Sequence, residues 1–174
     1  MYPTAYIQYL IHFHGDRDYF ECHEILEEYW KGIDPGNKES VWVGLIQLAV
    51  SCYHHRRQNF AGAKKTLDKA IRILTKEKKR IADLGLDWEI LHQIVMTRMS
   101  MIVKEESYVS FNLPLTDRIL EKECEKLAKK HDLSWGSDSD FTNINLIHRH
   151  KLRDRTYVIE ERNRALYERK GNEE

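Results

Sequence analysis

Val41-Trp42-Val43-Gly44-Leu45-Ile46-Gln47-Leu48-Ala49-Val50-Ser51-Cys52-Tyr53 follows Ser40, a capping residue, and runs on through His54 and His55 to Gln58. It is apolar around most of a helical circumference. A helix that is apolar nearly all round is enclosed by others. The stretch from about 40 to 58 therefore reads as the central, buried member of a helical bundle. One narrow stripe is small or polar: Gly44, Gln47, Ser51, His54 and Gln58. An unpartnered polar group in such a helix costs about 1–3 kcal/mol, so the stripe needs partners on its neighbours.

The segment before it, Tyr19-Phe20-Glu21-Cys22-His23-Glu24-Ile25-Leu26-Glu27-Glu28-Tyr29-Trp30, carries an apolar stripe of Cys22, Ile25, Leu26, Tyr29 and Trp30 at helical spacing. His23 lies at the edge of that stripe, and Glu27 follows one turn on, so the two side chains are neighbours. Asp34-Pro35-Gly36-Asn37 is a turn signal. The two helices should pack antiparallel across it, bringing Gln47 and His54 against the flank that carries His23, Glu24 and Glu27.

The remaining chain also reads as helices. Thr4 caps a first helix to about Phe13, and Asp16 caps the second. Asn59 breaks the central helix, and a fourth runs from about Phe60 to Asp83 and ends at Gly85. Asp87 caps a fifth over about Trp88 to Glu105, and Thr116 opens a sixth to about His131. Tyr108 to Phe111 alternates like a lone extended segment, and Ser134 to Thr142 is a loop. From Asn143 the chain forms an extension that becomes helical by Val158. The expected architecture is an all-α bundle over residues 1–142 with a C-terminal helical extension over 143–174.

The composition excludes several classes. The 28 basic and 28 acidic residues give a formal net charge of zero, so no global field favours nucleic acid or an anionic membrane. No apolar run is long enough to span a bilayer. Met1-Tyr2-Pro3-Thr4 lacks the start of a signal peptide. The three cysteines, Cys22, Cys52 and Cys124, form no CxxC pair. They read as buried free thiols of a cytoplasmic protein. Charge is nonetheless segregated: residues 64 to 80 hold eight Lys or Arg against two acids, and residues 148 to 170 are also basic. Solvated helix faces explain these runs, and no aromatic interleaving marks a nucleic-acid surface.

The polar candidates are His23, Glu24, Glu27, Gln47, His54 and Asn59. Helix-borne His and Glu projecting inward are how bundles build metal sites, and imidazole with carboxylate suits a divalent transition metal. His23, Glu27 and His54 are the candidate ligands, and Glu24 the candidate catalytic base. Neither the H-E-x-x-H of zinc proteases nor the Glu-x-x-His of di-iron bundles is present. The alternatives are a buried hydrogen-bond network that fixes two helices together, or a metal-free acid–base site. His12, His14, His92, His131, His148 and His150 read as surface or capping residues.

The run Phe20-Glu21-Cys22-His23-Glu24-Ile25-Leu26-Glu27-Glu28-Tyr29-Trp30 resembles the F-x-x-H-E-x-x-E-x-x-W hallmark of the prokaryotic family known as domain of unknown function 309. Gly44-Leu45-Ile46-Gln47-Leu48-Ala49, with His54, Asn59, Gly62 and Ala63, is similar to the family's second hallmark. The resemblance covers about residues 4 to 80. It implies an all-helical bundle around one central helix and implies no activity.

Two functions fit these readings. One is a small interaction or scaffold module, with a structural His/Glu/Gln cluster and a basic fourth helix that docks a protein partner. The other is a metal-dependent or acid–base hydrolase, with Phe20 and Trp30 lining its pocket. Homodimerisation fits either, through an apolar patch at Trp42, Trp88 or Tyr108.

Overall fold

The computed structural model describes residues 1–152. They form α1 (Thr4–His14), α2 (Tyr19–Ile33), α3 (Val41–Arg56), α4 (Phe60–Lys76), α5 (Lys78–Asp83), α6 (Trp88–Val103), α7 (Arg118–Lys130), α8 (Ile144–Ile147) and α9 (Arg149–Leu152). The fold is all-α, and among the described residues the sole β pairing is a lone antiparallel bridge, Leu86 to Leu115. The segment 108–111 has no regular secondary structure and pairs with no strand among the described residues. The expected helix at Val158 lies outside the described residues.

α3 is the centre, with twelve of its sixteen residues buried. Ring contacts give its direction against α2: Phe20 lies 6.1 Å from Tyr53, and Tyr29 lies 5.0 Å from Trp42. The start of one helix meets the end of the other, so the pair is antiparallel. α4 closes against the opposite side. There a Cβ on Gly44 would lie 2.5 Å from Leu74 Cδ2, so any larger residue would force Leu74 to shift. Seven residues later Ser51 Oγ donates to the Ala63 carbonyl at 2.9 Å. The small positions of the stripe thus serve the α3–α4 contact and not α2. α1 packs along α2 and α7 and reaches α3 through Tyr9, whose Oη donates to the Leu45 carbonyl, and α6 packs on α4.

Several expected boundaries shift for local reasons. The first cap is Pro3, whose carbonyl accepts from Tyr6 and Ile7, with Thr4 already helical. The cap of α2 is Asp18 and not Asp16. Arg17 takes a positive φ of 58°, which turns the chain so that Asp18 accepts from the Glu21 amide. Asp117, not Thr116, caps α7 by accepting from Ile119 and Leu120. The fourth helix breaks at Glu77, which opens the short α5. Cys22, Cys52 and Cys124 are free and buried, as expected. No described helix is long and apolar enough to cross a membrane.

Candidate functional site

His23, Glu24 and Glu27 lie on the flank of α2 that faces neither α1 nor solvent fully. Nδ1 of His23 is 3.1 Å from Glu24 Oε1, and Nε2 is 3.3 Å from Glu27 Oε2. Lys31 neutralises the other Glu27 oxygen at 3.1 Å. One donor atom from each of the three residues falls within 4.8 Å of the others, and among the described residues this is the one such group. Each side chain remains 27–34% exposed. The ion pairs of His23 and Glu27 are made within α2.

Two clefts open on either side of it. The larger, about 730 Å³, is lined by Asp16, Asp18, Glu21 and Glu24, with Asn143, Asn145, Leu146 and Arg149 as its far wall. Arg149 pairs with the buried Asp18 and lies 3.5 Å from Glu21. The smaller, about 190 Å³, is walled by Tyr19, His23, Val50, Tyr53, His54 and His150. Phe20 lines both and forms the ridge between them.

His54 shares the small cleft with His23 but does not join the donor cluster. Asn59 Nδ2 donates to His54 Nδ1 at 3.0 Å, while Asn59 Oδ1 accepts from the Gly62 amide and caps α4. That fixes the neutral ring with its proton on Nε2. Burial, helped by the nearby Arg57 guanidinium, pulls the His54 pKa below the usual histidine range. Gln47 is half-buried and lines neither cleft. Trp30 lies ten residues along α2 from Phe20, about 15 Å by helical rise. Its indole N–H donates to the Asn37 carbonyl, away from both clefts.

Residues that local patterns did not mark complete the site. Tyr53 Oη meets His150 Nδ1 at 2.5 Å and accepts the His150 amide, and Arg57 lies 3.2 Å from the same ring. His150 and Arg149 belong to a run that reads as a solvated basic tail. Nothing in its spacing announces that α8 and α9 fold back over α2. His14, expected at the surface, is 2% exposed. Its Nε2 accepts from the Leu113 amide, and its ring stacks on Trp135 at 4.3 Å.

The sequence model described as Domain of unknown function (DUF309) matches residues 6–66, which contain all six candidate residues. The chain is also similar to the Uncharacterized protein YpuF of Bacillus subtilis (strain 168), at 50% identity over 170 residues, covering 98% of each chain. That alignment extends past residue 66 to the segments that wall the clefts. No solved structure matches. By the α2 and α3 hallmarks, the family match over α1 to α4 and the full-length relative, this chain belongs to the DUF309 family.

Proposed function

We propose that this protein is a metal-dependent helical module in which His23, Glu24 and Glu27 hold a divalent transition cation at the lip of the two clefts. The observation that carries this reading is the convergence of three donor atoms within 4.8 Å on a half-exposed face. Three protein ligands with open positions resemble a catalytic arrangement more than a closed structural one. Hydrolysis through a metal-bound water is the reaction class such a site supports. Glu24 serves here as a ligand. His54, neutral and across the small cleft, is then the acid–base candidate. The buried free thiols suit a reducing compartment such as the cytoplasm.

Calorimetric titration of tag-free protein with Zn²⁺ and with Mn²⁺ tests it. Near-stoichiometric binding that disappears in folded His23→Gln and Glu27→Gln proteins is the expected result. Binding that is absent, or indifferent to both substitutions, overturns the reading.

A second reading, an interaction module, draws on α4. Its outer face forms an open groove of about 570 Å³ lined by Lys64, Lys65, Lys69 and Arg72, with Asp68 among them. Arg72 and Lys76 both reach Glu39, which leaves Lys64, Lys65 and Lys69 as the cations that would meet an acidic protein partner. Charge reversal at these three lysines should abolish capture of such a partner while leaving cation binding at α2 unchanged. Capture that survives the reversal removes this reading.

A further inference from the structure

Trp88 and Tyr108, where an apolar patch was expected, are buried, at 9% and 6%. The segment that stands beside the α2 cluster is polar instead. Residues 143–150 wall both clefts: Asn143, Asn145, Leu146 and Arg149 the larger, His150 the smaller. α8 and α9 have four residues each, and helices that short have no stability of their own in water. The segment is held by what it touches. Leu146 and Ile147 are buried, and the Leu146 carbonyl accepts from Arg56 at 3.3 Å. At the far end the contacts are polar. Arg149 pairs with Asp18 and reaches Glu21 at 3.5 Å, and His150, with Arg57 beside its ring, donates its amide to Tyr53 Oη at 3.2 Å. Asp16, Asp18, Glu21 and Glu24 bring four carboxylates to the larger cleft, and Arg149 is the one cation among its described lining residues. Asp18 is 2% exposed, and a carboxylate so buried needs a countercharge. The Arg149 side chain that supplies it is 46% exposed.

We propose that residues 143–150 are a strap over the two clefts, latched by Arg149 on Asp18 and Glu21, and that a cation at the α2 cluster loosens the latch. The second half rests on the metal reading above. Glu24 belongs both to the donor cluster and to the cleft that Arg149 closes. A divalent cation there cancels one of the four carboxylates that attract Arg149 and sets positive charge on the same cleft. At ordinary ionic strength screening takes about 10 Å, so charges that share one cleft still feel each other. Linkage makes the effect reciprocal: if the bound cation opens the strap, removing the latch strengthens cation binding by a matching factor. The strap thus keeps an empty site covered and opens the clefts to a substrate once the cation is in place.

Hydrogen exchange of the full, metal-free chain reads the strap through the Ile147 and His150 amides, which donate to the Asn143 carbonyl and to Tyr53 Oη. Both should be protected in the wild type. Arg149→Gln should speed their exchange at least about fivefold while the α3 amides keep their protection. Glu21→Gln, at a partly exposed position, is the milder second variant and should act in the same direction. Strap amides that are unprotected in the wild type overturn the proposal, as does protection that both variants leave unchanged. Saturating Zn²⁺ should speed the same amides in the wild type but not in His23→Gln, and calorimetry should show Arg149→Gln binding Zn²⁺ at least about fivefold more tightly. Zn²⁺ that binds at α2 without changing exchange at the strap overturns the cation trigger. Absence of Zn²⁺ binding removes the α2 reading and the trigger with it, and the metal-free exchange still decides the latch.

Discussion

On the outward flank of α2, His23 meets carboxylates of its own helix. At the inner end of the same helix, Arg17 and Arg56 meet carbonyls and small polar groups from other segments. Arg17 donates to the carbonyls of Ser137, Phe13 and Phe111 and to Asn112 Oδ1, at 2.6–2.8 Å. Arg56 donates to the carbonyls of Arg17 and Leu146 and to Ser139 Oγ. It also covers the Tyr19 ring at 5.0 Å. Arg17 and Arg56 are 1% and 4% exposed, against 27% for the His23 side chain. The inner arginines stitch loops 108–112 and 137–139 and helix α8 onto the bundle. The ion pairs of His23 with Glu24 and Glu27, and of Glu27 with Lys31, stay within α2. Polar residues in a helical protein thus divide by what they contact: groups that bridge segments hold the fold, and groups satisfied within one helix can serve a ligand.

The largest test of that division is Arg17→Met. It strands four acceptors that a charged donor satisfied, and hydrogen bonds to charged groups contribute about 1.5–3 kcal/mol each when lost. Unfolding in urea should show a loss above about 3 kcal/mol, or no folded protein at all. A loss under about 1 kcal/mol would erase the contrast with the outer cluster.

Next is Gly44→Val. Its first added carbon would lie 2.5 Å from Leu74 Cδ2 and 2.9 Å from Leu74 Cγ. Overpacking of this kind costs about 1–3 kcal/mol, measured as a lowered melting temperature. The α2 cluster lies on the other side of α3, so cation binding should survive in the fraction that folds.

Acid provides a third test. Burial first, and the Arg17 charge second, hold His14 down at about 3 from the ordinary 6.5. His54 and His55 are also lowered, chiefly by burial. The unfolded chain takes up these protons near pH 6.5. The folded chain takes them up only at lower pH. Stability is therefore full above about 6.5 and falls as pH drops toward 3, by up to about 1.4 kcal/mol per unit from His14 alone. Melting temperature against pH should show this decline, and His14→Gln, if folded, should flatten it. An unchanged slope in His14→Gln would place the acid sensitivity elsewhere.

The smallest stability effect belongs to His23→Gln and Glu27→Gln. Half-exposed ion pairs contribute about 0–1 kcal/mol, so both variants should melt close to wild type while losing the cation. A loss comparable to that of Arg17→Met would return the cluster to a structural role.

Much of the bundle is legible in the chain. The apolar circumference of residues 41–53 marks the central helix because burial leaves no side for polar groups, and α3 is buried on twelve of sixteen positions. The His23–Glu27 contact follows from spacing along one helix. His14, Arg17 and Arg56 carry no such mark. Their burial depends on which distant carbonyls arrive beside them, and periodicity encodes faces and not partners. The direction of the α3 stripe shows the same limit. Gly44 and Ser51 were legible as special, but only the packed structure turns them toward α4 and leaves His54 facing α2.

By itself the sequence determined the all-α class, the buried central helix, the antiparallel α2–α3 pair and the family, since these rest on local periodicity, turn residues and a spaced motif. The tertiary structure alone decided that Arg149 and His150 wall the clefts, that His54 stands apart from the three-donor cluster and that Arg98 turns inward against Tyr108 and Phe111. Those outcomes depend on contacts between residues far apart in the chain, whose energies appear only once the segments are packed.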